Sequence, residues 1–340
     1  MRRRTSVMRL GLAVRGLIIL FALAACAPPP PGTVVLTAPT AAAILTSPAV
    51  PASVPKTPMP PTSASEASTP VATQLADPSL PVFSHIDVIV MENKEYGDIV
   101  GSSHAPYLNS LIAQYGLATN YTGITHPSEP NYFALFSGST QGATNDGVYN
   151  LDGKNLADQL EVKGKTWKVF AENVPANCFT DVLAQGGEDG SGTYVRKHDP
   201  AISFTNISGS PERCANITDL AHFDPAAANY ALIIPNQCHN MHDCSVAAGD
   251  DFLKGFVPKI LNSRAWQDGG VLFITWDEGL TSLGGGGQVP LLVISNRVPK
   301  GFRSSVEHNH YSLLRTVEDA WGLGCLNQAC AASSLQEFFR

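Results

Sequence analysis

The sequence predicts an α/β domain whose central sheet is mostly parallel and carries helices on both faces. Short apolar segments rich in β-branched residues alternate along the chain with segments of helical periodicity. The apolar segments are nearly continuous in their hydrophobicity, as is typical of parallel strands buried on both faces. Strands that alternate with helices pair through helical crossovers, which makes the sheet mostly parallel.

The elements follow in chain order from these two patterns. Strands are expected at 86–92, 117–121, 166–171, 230–234, 271–276 and 291–295. Helices are expected at 105–115, 130–136, 155–162, 252–261 and 311–321. Glycines mark two helix ends, at Gly116 and Gly164, and Ser128 lies close to the N-terminal cap of the second helix.

Residues 1–26 predict an export signal rather than a part of the fold. Five arginines precede an apolar segment at 17–25, and the sequence Leu23-Ala24-Ala25-Cys26 resembles a bacterial lipoprotein cleavage box. In this interpretation Cys26 is lipidated, and the protein is exported and lipid-anchored to the bacterial cell membrane or envelope. No later segment approaches the ~18 apolar residues needed to cross a bilayer. The alternatives are an ordinary secretory signal with an incidental cysteine, or an uncleaved anchor.

Residues 27–80 predict a disordered tether, and residues 81–340 one catalytic domain. The tether is rich in Pro, Ala, Ser and Thr and almost lacks aromatic residues, so it buries too little apolar surface to offset the entropy of ordering it. A ligand for a proline-binding partner is the alternative for this segment. The remaining length suits one domain with a substantial core.

The charge of the chain argues against nucleic acid as a partner. The formal net charge is −7, and removal of five arginines with the signal lowers it to about −12. An acidic chain without a run of Lys or Arg is a poor candidate for sequence-independent nucleic-acid binding.

Six cysteines remain after Cys26, and an even number in an exported domain predicts disulfides. Six cysteines allow 15 connectivities. Two pairs are close in sequence, and a third would complete the set: Cys238 with Cys244, Cys325 with Cys330, and Cys178 with Cys214. A thiolate metal site is the alternative, although the chain contains no CxxC pair.

Polar side chains follow the first strand at the point where it leaves the sheet. Glu92 and Asn93 come directly after the apolar run at 86–91. In open α/β sheets, ligands bind at the carboxyl ends of the strands. A carboxylate beside a carboxamide offers hard oxygen ligands for a cation, or a donor for a phosphate oxygen.

A second cluster surrounds Ser128, in the run His126-Pro127-Ser128-Glu129-Pro130-Asn131-Tyr132. A hydroxyl at the start of a helix faces the positive end of the helix dipole, which favours an alkoxide and an incoming phosphate. The alternative is that Ser128 only caps the helix. It is not a nucleophile elbow, because the chain contains no GxSxG.

Two more clusters follow later strands. His239, His242 and Asp243 lie between Cys238 and Cys244, where a small disulfide loop would fix them. Asp277 and Glu278 end the strand at 271–276, and adjacent carboxylates there cannot both stay buried and unpaired. They are either solvated or bound to a cation. A structural role is the alternative for each histidine.

These motifs, in this order, resemble the bacterial phosphoesterase family, which contains acid phosphatases and phospholipases C and belongs to the alkaline phosphatase superfamily. The resemblance spans nearly the whole of 81–340. It rests on Met-Glu-Asn at 91–93, the run at 126–132, Met-His-Asp at 241–243, Thr-Trp-Asp-Glu at 275–278 and His-Tyr-Ser-Leu-Leu-Arg-Thr at 310–316.

The resemblance implies an alkaline-phosphatase-like fold and a role for each site residue. It places one divalent metal ion, of a kind the sequence does not identify, on Glu92, Asn93, Ser128, Asp277 and Glu278. Ser128 is the implied nucleophile, and His198 and His242 are the implied phosphate-contacting or acid–base residues. Contacts with the substrate are further expected from Asn93, Asn131, His126, His239 and Asp243.

Two departures from the family pattern bear on activity. Phospholipase C members usually carry Thr at the nucleophile and Arg at the position of Tyr132, so Ser128 and Tyr132 favour the phosphatase branch. Glu278 stands where many relatives have a second Asp. His310 resembles a family position, and its role, like that of His308, is left open between function and structure.

The predicted activity is that of an exported acid phosphatase acting on small phosphate monoesters through a phosphoserine at a metal-assisted site. A phospholipase C or phosphodiesterase would use the same centre with room for a second ester substituent. A non-catalytic binding lipoprotein is the alternative from a different class. Under that hypothesis, the polar residues at the strand ends would be a coincidence.

Overall fold

The structure, a computed structural model, describes residues 80–185 and 193–340. The predicted signal with Cys26 and residues 27–79 of the predicted tether lie outside the described residues, whereas Leu80, the last residue of the predicted tether, is buried in the domain. The strands are β1 Ile86–Met91, β2 Gly116–Ala118, β3 Tyr121–Thr122, β4 Trp167–Ala171, β5 Leu183–Gln185, β6 Thr193–Val195, β7 Ile217–Asp219, β8 Tyr230–Ile234, β9 Val271–Trp276, β10 Leu291–Ile294, β11 Arg303–Ser304 and β12 His308–Asn309.

The helices surround this framework. They are α1 Tyr96–Ile99, α2 Pro106–Gln114, α3 Ser128–Ser137, α4 Leu156–Val162, α5 Thr205–Ser208, α6 Pro211–Cys214, α7 Val246–Leu261, α8 Arg264–Gln267 and α9 His310–Trp321. None of these helices is long and apolar enough to span a membrane.

The main sheet has the order β11-β2-β10-β9-β1-β8-β4-β7. β1 is parallel to both of its neighbours, β8 and β9, and β4 is parallel to β8 and β7. β10 runs antiparallel to β9 and β2. All residues of β1, β8, β9 and β10 are buried. The predicted α/β class with a mostly parallel sheet is therefore confirmed.

One predicted strand is divided in the structure. The segment predicted at 117–121 contributes β2 to the main sheet, leaves it at Thr119 and Asn120, and then forms β3, which pairs with β12 in a separate two-stranded sheet. The apolar pattern continues across this break because Tyr121 is also buried, in a contact with His310 rather than in the main sheet.

The helix predicted at 252–261 begins six residues earlier, at Val246. Its first turn is capped by Ser245, whose hydroxyl accepts from the backbone N–H of Ala248. The apolar pattern does not predict this turn, because Asp250, one of its buried residues, is polar and is buried by hydrogen bonding. Its carboxylate accepts from the N–H groups of Tyr107 and Leu108 in the first turn of α2.

Three disulfides join the pairs predicted from sequence: Cys178–Cys214, Cys238–Cys244 and Cys325–Cys330. The short elements between residues 183 and 219 were not predicted, since they are too brief to show a period of their own.

Candidate active site

The register of the sheet brings two polar strand ends side by side. Met91 pairs with Trp276, so Glu92 and Asp277 leave the sheet together. Both side chains are fully buried. The backbone N–H of Asn93 donates to Asp277 Oδ1 over 3.2 Å, and Asn93 adopts a left-handed conformation with φ of 49° to make this turn.

Ser128 is the first residue of α3, and its hydroxyl points into this pair of strand ends. Ser128 Oγ lies 3.2 Å from Glu92 Oε2 and 3.5 Å from Glu278 Oε1. The N-cap position belongs to Pro127, and no side chain caps the helix there. The capping alternative for Ser128 is therefore wrong. Its hydroxyl sits at the positive end of a ten-residue helix, next to acidic groups.

The three carboxyl groups around Ser128 are all difficult to ionise. Burial raises the pKa of Asp277 to about 6 and of Glu278 to about 7, where the charge of Asp277 adds to the effect. Burial, and then the charge of Asp277, raises the pKa of Glu92 well above its usual range. Three carboxylates at one hydroxyl would repel an anionic substrate unless a cation or protons neutralise them.

Two aromatic side chains, Tyr132 and His198, contact the second carboxylate oxygen of Glu92. The Tyr132 hydroxyl donates to Glu92 Oε1, and His198 Nε2 lies 3.2 Å from the same oxygen, outside hydrogen-bond geometry. The rings of Tyr132 and His198 stack with centroids 5.1 Å apart. Burial, together with the charge of Lys197, lowers the pKa of His198 well below its usual value, so this ring is neutral at neutral pH.

His126 supports Glu278. Its Nδ1 lies 2.9 Å from Glu278 Oε2, and its Nε2 lies 2.8 Å from the carbonyl oxygen of Thr281. The structure thus places His126 beside a carboxylate of the site with both ring nitrogens partnered, and its expected contact with substrate stays a prediction. The glycine run at 284–287 packs against residues 123–125, where a Cβ on Gly285 would stand 2.1 Å from the Ile124 carbonyl.

The loop after β8 places His242 near His198. Their ring centroids are 6.2 Å apart. His242 Nδ1 lies 2.6 Å from Asp243 Oδ1, so the carboxylate orients the ring and leaves Nε2 for other partners. The disulfide between Cys238 and Cys244 closes this loop. Asp243 thus contacts His242 through one oxygen, and its expected contact with substrate stays a prediction.

Two other expected substrate contacts have structural partners. The Asn131 amide accepts from the N–H groups of Ile124 and Thr125 and donates to the carbonyl of Thr125, so it holds the loop that leads to Ser128. His239 Nδ1 lies 2.9 Å from Glu172 Oε1, and its ring stacks on Phe252 with centroids 4.7 Å apart. Sequence patterns do not show such backbone and cross-strand partners.

The two histidines left open near the last helix also have partners. His310 is fully buried between the Tyr121 hydroxyl, 2.9 Å from its Nδ1, and the backbone carbonyl of Asp277. Burial lowers its pKa to about 4, so it is a neutral support beneath the site. His308 Nε2 lies 2.9 Å from Glu337 Oε1.

Lys94 belongs to the site and was missed by the sequence interpretation. Its ammonium donates to the backbone carbonyls of Asn93 and Met241, over 3.0 and 2.8 Å, and so joins the end of β1 to the histidine loop. The only signal in the sequence was its position directly after Glu92 and Asn93.

The donor chemistry of the site fits a hard divalent cation. Carboxylate, amide and hydroxyl oxygens converge here, and Asp277 Oδ2 is buried without a hydrogen-bond partner. Within residues 80–185 and 193–340, however, no three His, Cys, Asp or Glu side chains are already arranged to hold a metal ion. A cation would therefore depend on Asn93 and Ser128 in addition to the acidic groups.

Comparisons with known proteins identify the family of the chain. A model of the Phosphoesterase family matches residues 100–324. A phosphatidylinositol-3-phosphatase from Mycobacterium tuberculosis is 34% identical over 251 residues, which cover 73% of this chain and 80% of that protein. A probable acid phosphatase from Kluyveromyces lactis is 30% identical and aligns over 75% of this chain and 62% of its own length.

A solved structure supports the fold. A protein in the alkaline phosphatase superfamily from Vibrio parahaemolyticus superimposes with a TM-score of 0.52 at 12% identity, over 77% of this chain and 72% of that chain. Identity at this level bears on the fold alone, whereas the family match and the closer relatives bear on the chemistry. The chain therefore belongs to the Phosphoesterase family and is a hydrolase of phosphoric esters.

Proposed function

We propose that this protein is an acid phosphatase that hydrolyses small phosphate monoesters through a phosphoserine at Ser128. The observation that carries the proposal is the position of the Ser128 hydroxyl, buried at the start of α3 and in contact with Glu92 and Glu278. A nucleophile needs a nearby group that takes its proton, and both carboxylates are acceptors.

One divalent cation completes the proposed site, held by Glu92, Asn93, Ser128, Asp277 and Glu278. When bound, it supplies positive charge that neutralises the phosphate and lowers the pKa of the serine hydroxyl. The unpartnered oxygen of Asp277 and the raised pKa values of the three acids support this assignment, because each observation describes a site that lacks positive charge.

The chain's own residues perform the transfer. Ser128 Oγ attacks phosphorus in line with the leaving oxygen, forming the Oγ–P bond as the bond from phosphorus to the leaving oxygen breaks. The Ser128 proton passes to a carboxylate, and Glu92 Oε2 is the nearer acceptor at 3.2 Å. The helix dipole of α3 favours the negative charge that gathers on the phosphate oxygens.

His242 is the proposed acid for the leaving group. It is partly exposed and oriented by Asp243, so it can exchange protons with water between turnovers. His198 is buried and neutral, and its proposed role is to pack against Tyr132 and limit the position of Glu92. Water then attacks the phosphoserine, with His242 as the base that takes its proton; the Oγ–P bond breaks, and the proton held by the carboxylate returns to Ser128 Oγ.

Export and lipid anchoring through Cys26 remain part of the proposal. Three disulfides in the described residues support an oxidising compartment. The basic and apolar signal that ends at Cys26 supports the anchor.

The test has one readout based on activity and one based on binding. Hydrolysis of p-nitrophenyl phosphate, scanned across pH, should exceed that of bis-p-nitrophenyl phosphate and fall on chelation. Calorimetric titration with divalent ions should detect one site in the wild type and none in Asp277→Asn. Asp268→Asn, which changes an exposed acid far from Ser128 in sequence, is the control and should keep the site. A preference for the diester would overturn the monoesterase proposal.

A further inference from the structure

An apolar cavity of about 270 Å³ opens beside the site and has no role in the mechanism above. Val148, Val182, Leu183 and Val195 line it, and an ion pair between Asp146 and Lys197 lies at its edge. Val148, Val182 and Leu183 are 58%, 59% and 51% exposed, which places them among the most exposed large apolar side chains in the described part of the chain. A contiguous group of exposed apolar side chains favours binding of an apolar ligand, because binding removes this surface from water.

One wall of the cavity is fixed to the helix that carries Ser128. Asp146 Oδ1 accepts from the backbone N–H of Glu129 over 3.0 Å, and Glu129 Oε2 accepts from the N–H of Gly147 over 2.6 Å. Glu129 directly follows Ser128, so the two Cα atoms are about 3.8 Å apart. The segment 146–148 therefore runs beside the first turn of α3.

The opposite wall is fixed to His198. Lys197 Nζ lies 2.8 Å from Asp146 Oδ2, and the next residue, His198, places its ring 3.2 Å from Glu92. Lys197 is also close enough for its charge to act on Glu92 and Asp277. The ion pair thus lines the apolar cavity, and the charge of its lysine also acts on two of the carboxylates around Ser128.

The remaining wall is the antiparallel pair of strands β5 and β6. Leu183 in β5 pairs with Val195 in β6, and the N–H of Arg196 donates to the Val182 carbonyl over 2.9 Å. β6 leads directly into the turn Arg196–His198, so the apolar side chain of Val195 and the ring of His198 lie on one backbone segment.

We propose, on the basis of the function proposed above, that this cavity receives the apolar part of the substrate's alcohol. Its volume lies below the roughly 300–1,000 Å³ of complete small-ligand sites, so it suits one fragment of a ligand whose phosphate lies at Ser128. The enzyme then prefers phosphate monoesters of apolar alcohols, such as alkyl chains, to those of small polar alcohols.

The test is a series of n-alkyl phosphates from ethyl to octyl. The leaving alkoxides of the series have similar basicity, so a change in kcat/KM reports burial of the chain rather than chemistry. Each methylene that enters the cavity should raise kcat/KM by about two- to fourfold until the cavity is filled. A flat series in the wild type would overturn the proposal.

Variants locate the effect. Val148→Ser and Leu183→Ser should lower the ratio of kcat/KM for octyl phosphate to that for ethyl phosphate about tenfold. Val162→Ser is the matched control, since Val162 is 85% exposed at the end of α4, and it should leave the whole series unchanged. A chain-length dependence that the two cavity variants do not reduce would also overturn the proposal.

Binding separates this proposal from the proposed function. The n-alkylphosphonates carry a C–P bond that the mechanism does not cleave, and their dissociation constants can be measured by calorimetry. Affinity that rises with chain length in the wild type, and not in Val148→Ser, would keep the cavity assignment even if monoesters were not hydrolysed. Hydrolysis of ethyl phosphate with no dependence on chain length in either experiment would keep the function and remove the cavity.

Discussion

The carboxylate centre and the histidine loop stand at the same edge of the sheet but are built by different means. Glu92 and Asp277 are fully buried, and the register between β1 and β9 sets their position. His242 and Asp243 are 31% and 58% exposed, and they lie in a loop closed by the disulfide Cys238–Cys244. One region is fixed by the core of the protein, and the other by a local covalent link.

The difference suggests a division of chemical work. A buried centre holds the nucleophile in one geometry. Its low dielectric raises the free energy of an isolated charge and strengthens the attraction between a bound cation and the phosphate. A partly exposed histidine can exchange protons with water at each turnover. The proposed phosphatase uses the first region for phosphoryl transfer and the second for proton transfer.

The largest expected effect comes from the nucleophile in the buried region. Ser128→Ala should lower kcat for p-nitrophenyl phosphate about 10³-fold or more, because no other hydroxyl replaces the attacking atom. Ser137→Ala, at the other end of the same helix, is the matched control; it removes hydrogen bonds to the carbonyls of Phe133 and Ser139 and one from the Gln141 amide, and none to Glu92 or Glu278. Near-normal turnover in Ser128→Ala, with an unchanged unfolding transition, would contradict the assignment.

The next effect separates proton transfer from nucleophilic attack. His242→Asn should lower kcat/KM for ethyl phosphate about 10²-fold, because an alkoxide needs a proton as it leaves. The loss of kcat/KM for p-nitrophenyl phosphate should be far smaller, since p-nitrophenolate leaves unprotonated. Because kcat/KM covers only the steps up to phosphoserine formation, the later role of His242 as a base does not enter this comparison. Exposed His104→Asn is the control. If kcat/KM fell equally for both substrates, His242 would not be the acid.

A smaller effect tests whether the loop depends on its disulfide. Replacing both Cys238 and Cys244 by Ser should lower kcat about tenfold and cost about 2 kcal/mol of stability by the chain-entropy relation. The pair Cys325 and Cys330 is separated by 5 residues in sequence, against 6 for Cys238 and Cys244, so it encloses a loop of nearly equal length. Its double Ser variant is the matched control. It should lose similar stability and keep its activity. Equal kinetic losses in both variants would show that the disulfide does not position His242.

The smallest effect concerns the pH dependence of the buried region without metal. Burial, and then the charge of Asp277, raises the pKa of Glu278 to about 7 in the folded protein, against roughly 4.3 when unfolded. Between these values the folded state holds the extra proton, so the free energy of unfolding contributed by this group falls as pH rises. Glu278→Gln removes the titrating group, and with it this decrease in the free energy of unfolding.

The measurement is urea unfolding of the chelator-treated protein at pH 5 and pH 8, with disulfides intact. The stability of Glu278→Gln relative to the wild type should increase on the order of 2 kcal/mol between the two pH values. An equal dependence on pH in both proteins would mean that Glu278 is already ionised at pH 5 in the folded state.

The sequence predicted the two regions unequally. Apolar runs that end in Glu92 and Asp277 located the strand ends correctly, because buried strands leave a clear hydrophobic pattern. The pattern could not show that Ser128 Oγ reaches Glu92, since that contact depends on how α3 packs against the sheet. The division of 117–121 between two sheets was not predicted either, because it too depends on tertiary packing.

Partners of polar side chains were the least predictable feature. Asn131 and His239 looked available for substrate, yet the backbone at 124–125 and Glu172 occupy them. Tyr132 entered the sequence argument only as a departure from the phospholipase pattern, and it proves to donate to Glu92. Such contacts join residues that are distant in sequence, and residue type alone does not specify them.

The central claim is that Ser128 carries the phosphoryl group during turnover. The most direct test is to mix the protein with a phosphate monoester, quench with acid within the first turnover, digest, and measure the mass of the peptide that contains Ser128. The account predicts one added phosphoryl group on that peptide, absent in Ser128→Ala. An active protein whose Ser128 peptide stays unmodified under every quench time would contradict it.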